Sequence, residues 1–166
     1  PLFLEALEMY KRLIKGDHRR VAMSLHNLAY IYKEQGKLSE AEPIFLEALE
    51  MFKRLYKGDH PSVAIVLNNV SDLYKMKKNY REAEKLLNES LQMRKRIFKG
   101  DNPYVAGSLN NLGSLYQVQG KLQEAEKLFK QSLEMRQKLF KSDNPGIAVS
   151  LHNLAYIYMM QDKLNE

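Results

Sequence analysis

Apolar residues recur along this chain in two alternating stripes, each with the spacing of one helix face. Leu25, Leu28, Ala29 and Tyr32 fall at i, i+3, i+4 and i+7, which puts them on one side of an α-helix. The same face returns as Leu67, Val70, Ser71 and Tyr74, then Leu109, Leu112, Gly113 and Tyr116, then Leu151, Leu154, Ala155 and Tyr158. A second stripe lies between them: Ala41, Phe45, Ala48, Leu49 and Phe52, repeated at Ala83, Leu87, Ser90, Leu91 and at Ala125, Phe129, Ser132, Leu133. Small residues alternate with large ones in both. Packed helix hairpins require that alternation, because a small residue lets the facing helix approach and a large one fills the gap. The aromatic positions therefore read as core.

The punctuation is as regular as the stripes. Gly16, Gly58 and Gly100 stand 42 residues apart, Ser142 takes the next slot, and each is followed by Asp and then His or Asn. Pro61, Pro103 and Pro145 come next, where a first helical residue loses only an N–H that would be unpaired anyway. His18 and His60 read as caps. Arg19 takes the proline slot of its unit, which predicts a softer start there. The first helices stop near Gly36 and Gly120, where a left-handed residue needs no Cβ; Lys78 and Asp162 in that slot weaken the stop. Ser39 with Glu42 has the spacing of a capping box, with Pro43 still in the first turn. The second helices run to about Lys57, Lys99 and Lys141. A fixed period of this length marks a repeat array, in which each unit buries its apolar face against its neighbours. The units are 1–15 (the second helix of a truncated unit), 19–57, 61–99, 103–141, and 145–166 (a further first helix and the start of its second).

These positions resemble the tetratricopeptide repeat: Leu, then Leu-Ala, then Tyr, and after the turn Ala, Phe and Ala. Gly58-Asp59-His60-Pro61-Ser62-Val63-Ala64, Leu109-Asn110-Asn111-Leu112 and Gly120-Lys121-Leu122-Gln123-Glu124-Ala125-Glu126 are similar to the repeats of kinesin light chains. Related arrays are widespread in bacterial and archaeal proteins. The resemblance implies an all-α fold, a right-handed superhelical solenoid of antiparallel helix hairpins. It also implies a non-enzymatic scaffold that receives an extended peptide on the concave face of its first helices.

Composition narrows the chemistry. The chain has 166 residues and no Cys, which removes disulfides, thiolate metal sites and cysteine nucleophiles. Charge interrupts every apolar stretch, so no transmembrane span is expected, and no leader pattern opens the chain. A cytoplasmic location follows as an expectation. Glu40/Glu42, Glu82/Glu84 and Glu124/Glu126 resemble catalytic carboxylate pairs, but they sit in first turns, where negative charge suits the helix dipole. His26 and His152 lie three repeats apart, too far for one metal. No phosphate loop, zinc-protease motif or nucleophile triad occurs. No catalytic residue, metal or cofactor is expected.

The surface opposite the core stripe carries the candidate site. It comprises His26, Asn27, Tyr30 and Lys33; Asn68, Asn69, Asp72 and Lys75; Asn110, Asn111, Ser114 and Gln117; and His152, Asn153 and Tyr156. Asn occupies positions 27, 69, 111 and 153, once in every unit. An amide both donates and accepts, so such a ladder can read a peptide main chain; it can equally tie one helix to the next. Charge on this face nearly cancels, Lys33 and Lys75 standing against Glu34 and Asp72. The net charge of +6 instead gathers late in the second helices, at Lys11, Arg12, Lys15, Lys53, Arg54, Lys57, Arg94, Lys95, Arg96, Lys99, Arg136, Lys138 and Lys141. Dipole compensation explains that placement. A basic ridge for nucleic acid is the lesser alternative, and a regulatory or sensor segment packing on its own effector domain is another. The nine residues Ser24 to Tyr32 recur unchanged as Ser150 to Tyr158, so the array is expected to be an internal piece of a longer one. Apolar surface should then stand open near Leu151 and around Phe3, Ala6 and Leu7, allowing end-to-end self-association.

Overall fold

The computed structural model describes residues 2–162, which form eight α-helices: α1 (Leu2–Leu13), α2 (Arg19–Glu34), α3 (Leu38–Tyr56), α4 (Pro61–Met76), α5 (Tyr80–Ile97), α6 (Pro103–Val118), α7 (Leu122–Leu139) and α8 (Pro145–Met160). The expected start of a further second helix, at 163–166, lies outside the described residues. By packing, the chain divides into two compact units, Pro1–Leu86 and Leu87–Glu166. In the first, α2 packs on α1, α3 and α4, and α3 on α4; in the second, α7 packs on α6 and α8.

Each first-type helix is opened by the same device. His18, His60, Asn102 and Asn144 adopt extended backbone, and their side chains accept the N–H of Arg20, Ser62, Tyr104 and Gly146. A histidine Nδ1 lone pair at 3.1 Å does for α2 and α4 what an asparagine carbonyl does at 2.9 and 2.8 Å for α6 and α8. One otherwise unpaired helix-end donor is thereby satisfied. The cap at His18 forms although Arg19 replaces proline. At the other end, Gly36 and Gly120 take φ +74°, and Lys78 and Asp162 are driven to φ +58° and +59° in the same slot. A side chain there clashes with its own backbone, so those two stops are strained.

The capping box does not form. The second-type helix starts at Leu38 with Lys37 at the cap and no side-chain cap bond, which puts Ser39 inside the first turn. Glu42 is drawn away instead, accepting from the Tyr74 hydroxyl (2.9 Å) and from Lys77 on the facing helix end.

The two stripes make the core. Ala41, Phe45, Ala48, Leu49 and Phe52 of α3 are buried with Leu25, Leu28 and Ala29 of α2. In the second unit Ala125 and Phe129 of α7 close on Leu154 and Ile157 of α8, flanked by Tyr116 and Tyr158. Each large side chain so buried contributes about 1.5–3 kcal/mol. No second-type helix follows α8 among the described residues, and Leu151 is 50% exposed where Leu25, Leu67 and Leu109 are buried. Phe3 on α1 is also exposed.

Candidate functional site

With Leu25, Leu28 and Ala29 turned into the core, helix geometry aims Met23, Asn27 and Tyr30 the other way. Apolar side chains stay exposed there at matching positions of several repeats, Met23, Ile65 and Val149; Tyr30 and Tyr156; Met76, Val118 and Met160, while Gly107, Asp72 and Ser114 take the intervening slots. Singly such residues mean little, but together they leave exposed apolar surface on this face of each unit.

Polar side chains lace this face together. In the first unit Asn69 Nδ2 donates to His26 Nε2 at 2.7 Å, joining α4 to α2. Because Nε2 accepts, Nδ1 carries the proton, and it faces Asn27 Oδ1 at 3.3 Å. The His26 ring stands edge-on to Phe45 at 5.7 Å. Burial pushes its pKa down, the contact with Asn27 opposes that, and the nearby Lys33 charge adds to it. In the second unit Asn153 Nδ2 donates to Asn110 Oδ1 at 2.8 Å, joining α8 to α6. Two members of the ladder therefore tie neighbouring first helices. One amide hydrogen serves the stack, and the remaining amide capacity can face a ligand.

Most of the expected site residues keep accessible surface: His26, Asn27, Tyr30, Asn69, Asp72, Lys75, Asn110, Asn111, Ser114, Gln117, His152, Asn153 and Tyr156 are half-buried or exposed. Lys33 and Asn68 do not. Lys33 is only 6% exposed, its stem covered as its ammonium contacts Glu34 (3.2 Å) and the Tyr30 ring (4.5 Å), and Asn68 is 7% exposed. Lys75 is paired with Asp72 at 2.8 Å. The charges of this face thus neutralise one another locally.

Two further arrangements carry a signal in the sequence that helical periodicity alone does not reveal. Tyr74 stands 32 residues after the glutamate it bonds, a spacing repeated by Glu84 with Tyr116 and Glu126 with Tyr158. Burial, then the Glu42 hydrogen bond, push the Tyr74 pKa up to about 12. Arg94 and Arg136, expected among the surface cations, turn inward. Arg94 donates to the Tyr104 carbonyl and Ser108 Oγ, both at 2.9 Å, and Arg136 to the Gly146 carbonyl and Ser150 Oγ. At the same register Phe52 and Val66 are both apolar and buried, so an Arg–Ser pair takes two positions that hold apolar core one repeat earlier. Arg54 is held bidentately by Asp17 at 2.6 and 2.8 Å. Among the described residues no cluster of His, Cys, Asp and Glu could hold a metal ion, and no helix is long and apolar enough to cross a membrane.

The tetratricopeptide repeat profile matches residues 1–54, 20–96 and 104–166. The chain belongs to the tetratricopeptide repeat family. Its fold is similar to BtubC (BKLC) of P. vanneervenii, with a TM-score of 0.86 at 25% identity over 98% of this chain. The chain spans 65% of that protein's length. It is also similar to a kinesin-light-chain-like protein of Podosopora anserina with nearly identical repeats: TM-score 0.81, 23% identity, 98% of this chain and 77% of the other. A point variant of that protein matches with TM-score 0.83 at 22% identity, over 98% and 76%. No curated protein sequence matches the chain. Tetratricopeptide repeats of this kinesin-light-chain-like type generally mediate protein–protein interaction and are generally non-enzymatic.

Proposed function

We propose that this chain is a non-enzymatic scaffold that binds an extended segment of a partner protein on the groove-lining face of its first-type helices, the one opposite the core stripe. The observation that carries the reading is the recurrence of exposed Met, Ile, Val and Tyr in register on that face, beside amides able to pair with a peptide main chain. An extended peptide has unpaired N–H and C=O groups along its length, and side-chain amides satisfy them without demanding a particular sequence. Affinity then comes from apolar contacts. Tyr supplies large area at low entropic cost, and Met adapts to varied shapes.

Affinity capture followed by peptide mapping of the retained partner tests this. The expected result is retention by the wild-type chain and loss on Tyr30→Ser with Tyr156→Ser, while Lys99→Glu with Lys141→Glu changes little. Loss with the lysine pair alone would move the interaction to the second helices and contradict the reading. The exposed Leu151 and Phe3 favour one additional contact, self-association of this 166-residue chain; a sedimentation mass independent of concentration would contradict it.

A further inference from the structure

We infer that the partner segment seated on the second unit, across α6 and α8, is uncharged and anchored by apolar side chains. The inference rests on the peptide-binding reading above and names the chemistry of its ligand. Neither α6 nor α8 contains a single Lys, Arg, Asp or Glu, although such residues make up 28% of the chain. Their shared face offers Val118, Val149, Tyr156, Met159 and Met160, all 43–53% exposed. The Asn153–Asn110 bond runs between these two helices.

Charge complementarity decides the occupant. A charged group pressed onto this face would lose hydration and find no opposite charge, a cost of several kcal/mol if fully buried. His152 is the one imidazole in either helix, and it is exposed. The first unit carries Lys33, Glu34, Asp72 and Lys75 on the corresponding face, but these are paired with each other. An acidic or basic peptide therefore gains nothing from the α6–α8 face that water does not already give it. An apolar segment gains the area of five exposed side chains, and its main chain keeps amide partners.

Phage-displayed random dodecapeptides panned on the whole chain provide the probe. The expected enrichment is in uncharged sequences carrying Leu, Met, Phe or Val. Their affinity should change by less than about twofold between about 0.05 M and 0.5 M NaCl, since screening acts only on charge. It should fall about tenfold on Tyr156→Ser with Met159→Ser, positions exposed enough that truncation spares the core. Unchanged helicity by circular dichroism checks that the variant folds. Replacing a central apolar peptide residue by Glu or Lys should weaken binding by at least about tenfold. Enrichment of acidic or basic peptides, a steep salt dependence, or indifference to the Tyr156/Met159 pair would overturn the inference while peptide capture itself survives. Failure to enrich any peptide would instead defeat the peptide-binding reading, and the inference with it.

Discussion

Asn69 and Asn153 each commit an N–H to the preceding first-type helix, so their removal should be felt in stability as well as in binding. Loss of such a part-buried hydrogen bond costs about 0.5–1.5 kcal/mol. Asn153→Ala is expected to lower the unfolding free energy by that amount, seen as a lower denaturant midpoint; no shift would mean that the amide serves a ligand alone. Lys78 presents the opposite case. Held at φ +58°, it occupies a slot where its counterparts Gly36 and Gly120 meet no steric penalty. Lys78→Gly should therefore stabilise the chain, by up to about 1 kcal/mol after the entropic cost of glycine is subtracted. A lower melting temperature would show that the lysine side chain contributes something the backbone argument omits. His26 adds a pH dependence. Its pKa is depressed in the fold chiefly by burial, so the unfolded chain takes up its proton first. The associated stability is present above the unfolded value of about 6.5 and is lost as pH falls through the folded one. His26→Gln should flatten that part of the acid limb of stability against pH.

Among the elements, helix order and core faces were legible because a 3.6-residue period and a 42-residue repeat reinforce each other. Ala41, Ala48, Ala83 and Ala125 are all fully buried, Ala125 in one cluster with Phe129, Leu154 and Ile157. Ala125→Leu should overpack the α6–α7–α8 core and cost about 1–3 kcal/mol by thermal or chemical melt; unchanged stability would contradict the packing described. The capping box was misread because Ser39 and Glu42 have the right spacing, yet the helix begins one residue before the serine. The spacing rule cannot see that Tyr74 and Lys77, from the next helix, compete for the same carboxylate. That clasp makes its own prediction. The Tyr74 pKa is raised to about 12, so its contribution is whole below the unfolded value of about 10 and is lost as pH rises toward 12. Tyr74→Phe should remove the alkaline loss; a loss of equal size in the variant would assign it to another group. The inward turn of Arg94 and Arg136 was hidden for a related reason. Late basic residues suit a helix dipole, and only the serines fourteen residues further on in each case mark these two as turned inward.

Over the whole chain, charge is unevenly placed. The first-type helices of the second unit carry no fixed charge, while much of the +6 excess lies late in the second-type helices. With Arg94 and Arg136 turned inward and Arg54 held by Asp17, that side retains a thinner set of cations than the sequence suggests. Any nucleic-acid association should accordingly be weak, blind to sequence and lost with added salt. The outward positions of the candidate face were legible from helix geometry; the pairing of its charges and the burial of Lys33 were not, because side-chain partners depend on which repeat neighbours meet. The eight methionines offer the most direct test. Met23, Met76, Met159 and Met160 are exposed on first-type helices, whereas Met9, Met51, Met93 and Met135 sit on second-type ones. In methyl NMR spectra of the whole chain titrated with a selected peptide, shifts are expected within the first group, at Met159 and Met160 above all, and the second group is expected to stay. Shifts confined to Met9, Met51, Met93 and Met135 would contradict binding on the first-helix face.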